Sequence, residues 1–165
     1  MPFLLRRIVF ERWDPAVTEL DSPLPSDPLA DLVTKRGNLS LWLVTDDRLN
    51  LDQVITAVAA NAGVVSNVPF VMIQHSLLEE HGFRIVESRG NTPLSEAANE
   101  HRDVVGLDAA RLVDLAELFR RHGEFAEYSE ARVRQLLAQA VNGRRLRRQD
   151  LKPDVQTHLE RRALI

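Results

Sequence analysis

Polar side chains that could do chemistry follow two apolar runs of this chain. Asp46 and Asp47 follow Thr45 at the end of the run at residues 39–44, and His75 follows Gln74 at the end of the run at residues 68–73. Open α/β sheets bind ligands outside the carboxyl ends of their parallel strands. If the two runs are neighbouring parallel strands, two carboxylates and an imidazole converge there. Such a group would suit a general base or a metal-assisted hydrolase.

The same residue types also have local backbone roles. Asp46 and Asp47 build a turn, while Asn50 and Ser76 are typical first residues of helices. His75 lies four residues before Glu79, but the chain has no HExxH pattern, and it also lacks GxGxxG, P-loop and GxSxG motifs. We therefore predict no catalytic residue, no metal site and no cofactor, and an enzyme is the less favoured class.

A second candidate site is a cluster of arginines near the end of the chain, formed by Arg144, Arg145, Arg147 and Arg148. On a helix or turn these guanidinium groups could contact successive phosphates of a nucleic acid. No aromatic residue follows Tyr128, so a stacking platform for single strands is missing there. The alternatives are docking to an acidic protein surface or to the chain's own acidic body. The cluster is thus a predicted binding site for a partner or for nucleic acid.

The elements that must position these side chains centre on residues 39–73, which have the pattern strand, helix, strand. Nearly continuous apolar runs are typical of strands buried on both faces, and a helical crossover makes such strands parallel. Further strands are predicted at residues 3–10, 83–87 and 103–107. Four prolines between residues 11 and 28 indicate an irregular connection, followed by a short helix over about Leu29–Val33.

Residues 108–165 have a helical period instead. Asp108 and Ser129 are predicted to cap two amphipathic helices that end near residues 122 and 141, and a weaker third helix spans about Asp150–Ala163. The expected fold is α/β, a small mixed sheet with a central parallel βαβ unit, followed by a C-terminal segment of two to three helices. The predicted division is 1–107 and 108–165, although the two parts could pack as one domain.

Composition and charge narrow the classes of function. The chain has 165 residues and no cysteine, which excludes disulfides, thiol catalysis and thiolate metal sites. The start of the sequence lacks a signal-peptide pattern, and no apolar run is long enough for a membrane span, so a cytoplasmic location is expected. Residues 1–100 carry 8 basic and 14 acidic side chains, whereas residues 101–165 carry 13 basic and 10 acidic ones.

These observations favour a non-enzymatic interaction or accessory subunit in the cytoplasm. Its partner, another protein or a second copy of the chain, would bind the C-terminal helices, because their broad apolar faces exceed what the third helix covers. One alternative is a nucleic-acid-binding accessory protein that uses residues 144–148. The other is a metal-assisted hydrolase that uses Asp46, Asp47 and His75.

Overall fold

In the described part of the chain, six strands form one sheet in which every neighbouring pair runs antiparallel. The computed structural model describes residues 1–32 and 36–165. The strands are β1 (Phe3–Arg7), β2 (Leu39–Val44), β3 (Val68–Gln74), β4 (Arg84–Glu87), β5 (His101–Val105) and β6 (Glu124–Tyr128). Their order across the sheet is β4-β5-β2-β1-β3-β6, so β4 and β6 are the two edges.

Seven α-helices lie along the whole chain and are not confined to its end. They are α1 (Phe10–Thr18), α2 (Ser26–Asp31), α3 (Leu51–Ala60), α4 (His75–Glu80), α5 (Ala109–His122), α6 (Glu130–Asn142) and α7 (Pro153–Arg161), within the part of the chain that the structure describes. Short 3₁₀ turns lie at Ser95–Glu100 and Arg148–Asp150. No helix in residues 1–32 or 36–165 combines the length and the apolar character that crossing a lipid bilayer requires.

The prediction of a mixed sheet with a central parallel βαβ unit is wrong, because β1 lies between β2 and β3. Phe3 pairs with Val44 on one side and with Gln74 on the other, antiparallel in both cases. β2 and β3 consequently run in the same direction without touching each other. The helical crossover of α3 was predicted correctly, but it passes over an inserted strand.

Helices cover both faces of the sheet and create two apolar cores. On one face α3, α6 and α7 pack over side chains such as Leu5, Val44 and Phe70. On the other face α1, α2, α4 and α5 pack over Leu4, Leu41 and Val71, among others. Residues 108–165 thus supply the edge strand β6 to the sheet and helices to both of its faces.

Local signals from the sequence succeed at α5 and α6. The Asp108 carboxylate accepts a hydrogen bond from the Arg111 N–H at 2.8 Å, and the Ser129 hydroxyl accepts one from the Arg132 N–H at 3.3 Å. Both predicted N-caps are confirmed. Asn50 does occupy the N-cap position of α3, but its side chain makes no capping hydrogen bond, because its amide accepts from the Thr45 N–H at 2.9 Å and donates to the Leu43 carbonyl at 3.1 Å. The Asn50 side chain thus stabilises the chain at the end of β2.

Two other local predictions are wrong, and a short helix was predicted correctly but with shifted bounds. Helix α4 begins one residue before Ser76, and the hydroxyl of Ser76 donates to the Met1 sulfur at 3.3 Å and caps nothing. The region predicted as an irregular connection contains α1, with Pro15 inside it. The short helix begins at Ser26 and ends at Asp31, and Val33, its predicted last residue, lies outside the described residues.

Candidate functional site

The carboxyl ends of β2 and β3 point to the same end of the sheet, but the first residues of β1 lie between them. Strands are about 4.8 Å apart in a sheet, so two strand spacings, about 10 Å, divide the two ends. The Pro2 carbonyl accepts a hydrogen bond from the His75 N–H at 3.0 Å, and the amino group of Met1 contacts Asp46. The structure therefore does not bring Asp46 and Asp47 together with His75.

Each of these side chains has a local partner. The Asp47 carboxylate accepts from the Thr45 hydroxyl at 2.7 Å and from the Leu49 N–H at 3.2 Å, and these bonds lower the pKa of Asp47. The His75 ring lies 3.2 Å from a Glu79 oxygen on its own helix. Across residues 1–32 and 36–165, no three His, Asp or Glu side chains are grouped so that they could hold a metal ion.

The arginine cluster at residues 144–148 is mostly paired within the chain. Arg145 lies 3.0 Å from Glu96, Arg147 donates to both oxygens of Asp150 at 2.7 and 3.0 Å, and Arg148 pairs with Glu160. Leu146, which is buried, anchors the segment in the core beneath α3 and α6. Arg144 is exposed and forms no ion pair in the described part of the chain. Three carboxylates thus offset much of the cluster's positive field.

Ser88, directly after β4, and His101, the first residue of β5, form a pair that the sequence did not reveal, since 13 residues separate them. The Ser88 oxygen is 2.6 Å from His101 Nδ1, which is within reach of a nucleophile and its base. Burial lowers the pKa of His101, so the imidazole is neutral at neutral pH. Ser88 also donates its N–H to the His101 carbonyl at 3.3 Å, and Trp42 packs edge-on against the ring. Within the described residues no carboxylate hydrogen-bonds the imidazole, so the group that would orient a catalytic base is missing. The two hydrogen bonds between Ser88 and His101 instead hold the residue after β4 against β5.

A groove of about 430 Å³ lies between α7 and the loop after α3. We call it the basic groove, and its walls include Val64, Val65, His158, Arg161 and Arg162. Val64 is 58% exposed, an unusual fraction for a valine beside a core. Asn142 donates to the Leu164 carbonyl at 2.9 Å, which brings the carboxyl ends of α6 and α7 together.

The charges of the basic groove are incompletely compensated. Neither Arg161 nor Arg162 has an acidic partner in residues 1–32 or 36–165, and Asp154 is the acidic side chain in the groove wall. The His158 ring is 3.7 Å from Glu130 on α6. Exposed apolar surface beside uncompensated guanidinium groups is a typical composition for a protein-binding surface.

No protein-family model, curated protein or solved structure matches this chain. Its function is therefore inferred from its own geometry.

Proposed function

We propose that this chain is a cytoplasmic interaction or accessory subunit, which binds an acidic segment of a protein partner in the basic groove. The observation that supports the proposal is the combination of an exposed Val64 with Arg161 and Arg162 around one open groove. An apolar side chain of the partner would pack on Val64, while flanking carboxylates would meet the two guanidinium groups. Arginine binds carboxylates in a bidentate manner, which gives such a contact direction as well as energy.

A partner in the basic groove would contact α7 rather than the apolar faces of α5 and α6. The apolar faces of α5 and α6 are buried against the sheet, as the full burial of Phe119 and Leu137 illustrates. They leave little apolar surface for a partner. The available surface is the outer face of α7, whose buried residues are Val155 and Leu159 and whose remaining side chains, apart from Pro153 at its start, are polar.

The geometry gives less support to the two alternatives. A nucleic acid at residues 144–148 would have to compete with Glu96, Asp150 and Glu160 for three of the four arginines. A hydrolase built on Asp46, Asp47 and His75 would need the carboxylates and the imidazole at one point, and β1 separates them.

A binding measurement tests the proposal directly. A fluorescein-labelled peptide of alternating Glu and Leu serves as the probe, and its fluorescence anisotropy is followed as protein is added. We expect saturable binding that weakens as salt is raised, because exposed charges are screened. The double variant Arg161→Glu with Arg162→Glu should weaken binding by about a hundredfold, since it juxtaposes like charges.

A matched control separates the groove from net charge. Arg84→Glu with Arg89→Glu produces the same change in net charge on and beside the edge strand β4, where both side chains are exposed and neither lines the basic groove. It should leave peptide binding within about twofold of the wild-type value. Equal losses in the two double variants would contradict the proposal.

A labelled single-stranded oligonucleotide forms the second arm of the experiment. If it binds with strong salt dependence, and if Arg144→Glu with Arg145→Glu abolishes that binding, the nucleic-acid alternative replaces the proposal.

A further inference from the structure

A second groove, with a volume of about 500 Å³, lies on the other side of the loop at residues 64–67. We call it the acidic groove. Its charged side chains are Glu11, Glu127, Glu130 and one arginine, Arg7. Its apolar wall includes Val9 and Phe10, which are 41% and 36% exposed. The acidic groove therefore resembles the basic groove in combining exposed apolar side chains with charged ones, but most of its charges are negative.

The two grooves are neighbours on one surface. Val64 and Val65 line the basic groove, and the next two residues, Ser66 and Asn67, line the acidic groove. Glu130 belongs to the acidic groove, and one of its oxygens lies 3.7 Å from the His158 ring in the wall of the basic groove. Only the loop and the start of α6 stand between them.

We propose that this bipolar surface binds a second copy of the chain around a twofold axis. In such an arrangement the basic groove of each copy faces the acidic groove of the other, so both contacts form at once. The inference rests on the proposed function, since it names the acidic partner of the basic groove as the acidic groove of another copy. Val64 of one copy then packs near Val9 and Phe10 of the other, and the exposed apolar side chains of both grooves are covered together.

Within the described residues, Glu11, Glu127 and Arg7 are the charged side chains of the acidic groove without an ionic partner, so the unpaired charges leave the groove net negative. Glu130 contacts Arg134 at 3.2 Å as well as His158, so it contributes little to a partner. Glu127 accepts a hydrogen bond from the Asn67 amide at 2.9 Å, and within the described residues neither Glu127 nor Glu11 has a cationic partner. Glu11 and Glu127 are therefore the carboxylates that would meet Arg161 and Arg162.

Sedimentation velocity over a range of protein concentrations tests the inference. We expect the wild-type chain to form dimers whose dissociation constant rises with salt. The basic-reversed variant, Arg161→Glu with Arg162→Glu, should weaken dimer formation about a hundredfold, and so should the acid-reversed variant, Glu11→Arg with Glu127→Arg. An equimolar mixture of these two variants should recover a dimer, because both contacts in the mixed pair join opposite charges.

Recovery in the mixture also excludes misfolding as the cause of either loss. The control Arg84→Glu with Arg89→Glu should remain dimeric, since β4 lies at the other edge of the sheet. A chain that stays monomeric at every concentration, or two reversed variants that fail to pair, would overturn the inference.

The outcomes distinguish this inference from the proposed function. A monomeric chain that still binds the Glu and Leu peptide through Arg161 and Arg162 removes the second copy but keeps the groove. A dimer that is unaffected by reversing those two arginines, together with no peptide binding, removes both.

Discussion

Replacing Asp31 with alanine should destabilise the protein more than any other single carboxylate removal. One oxygen of Asp31, Oδ2, accepts hydrogen bonds from the Val9 N–H at 2.8 Å and from the indole Nε1 of Trp13 at 2.9 Å. The side chain is only 10% exposed, and Arg12 lies 3.7 Å from its other oxygen. The carboxylate thus fastens the start of α1 and the fully buried Trp13 to α2.

The size of the effect follows from the partners that would be lost. Hydrogen bonds to a charged group contribute about 1.5–3 kcal/mol each, and the partly exposed pair with Arg12 adds about 0–1 kcal/mol. We take the low end for the exposed Val9 bond and the high end for the partly buried Trp13 bond, which gives about 4.5 kcal/mol before the pair with Arg12 is added. Domains have free energies of unfolding of about 5–15 kcal/mol, so this loss is a large fraction of the total.

Urea unfolding followed by tryptophan fluorescence measures the change. At a denaturant dependence of about 2 kcal/mol per molar urea, the midpoint for Asp31→Ala should fall by about 2 M. Asp31→Asn keeps one oxygen that can accept both bonds and loses the charge alone, so we expect a loss of about 1–1.5 kcal/mol. Asp21→Ala, at an exposed position, is the matched control and should stay within about 0.5 kcal/mol of the wild type. A loss for Asp31→Ala of under about 1 kcal/mol, or one no larger than that of the control, would refute the reasoning.

Three further changes test other contacts, and each has its own measurement. Gly123→Ala would place a Cβ 2.3 Å from the Phe119 carbonyl oxygen, so thermal unfolding should show a loss of about 1–3 kcal/mol, whereas Gly63→Ala meets nothing closer than 3.9 Å and should be neutral or slightly stabilising. Burial lowers the pKa of His101 in the folded chain. As pH falls below about 6.5, the unfolded chain therefore binds a proton before the folded chain does, and the free energy of unfolding decreases. His101→Gln should weaken this pH dependence in unfolding curves measured between about pH 5 and 7. Arg120→Ala removes two hydrogen bonds of 2.7 Å to the carbonyls after α1, so protease Glu-C should cut after Glu19 faster than in the wild type; equal cleavage rates would contradict a latch at Arg120.

The sequence predicted most strands and the capped helices, because those signals are local. Alternation, apolar runs and the capping residues Asp108 and Ser129 need only a few neighbouring positions. Strand order depends on contacts between distant parts of the chain, and nothing near residues 39–73 indicates that β1 enters between β2 and β3. Helix α1 escaped prediction for a similar reason: Asp31 and the burial of Trp13 hold it, although Pro15 disfavours a helix.

Edge strand β6 was also missed. Its residues Glu124–Tyr128 include three exposed side chains, since an edge strand is only partly covered and carries charges.

The candidate sites show the same division between local and distant information. The sequence identified the basic character of the last third of the chain, but the ion pairs of Arg145, Arg147 and Arg148 with Glu96, Asp150 and Glu160 depend on folding. Before folding, nothing separates the arginines of that third that are left without an acidic partner in the described residues, Arg144, Arg161 and Arg162, from the paired ones.

The central place of β1 has a consequence for the order of folding. Phe3 pairs with Val44 and Gln74, about 40 and about 70 residues later. A strand that must wait for such distant partners raises the contact order, which slows folding. During synthesis its apolar residues Phe3, Leu4 and Leu5 lack one of their two partner strands until β3 has left the ribosome. Arg6 and Arg7, directly after them, are charges of the kind that suppress aggregation of an incompletely paired strand. Of the six strands in the sheet, β1 is synthesised first. It joins the half that contains β2 to the half that contains β3, and it can do so only after both halves have been synthesised.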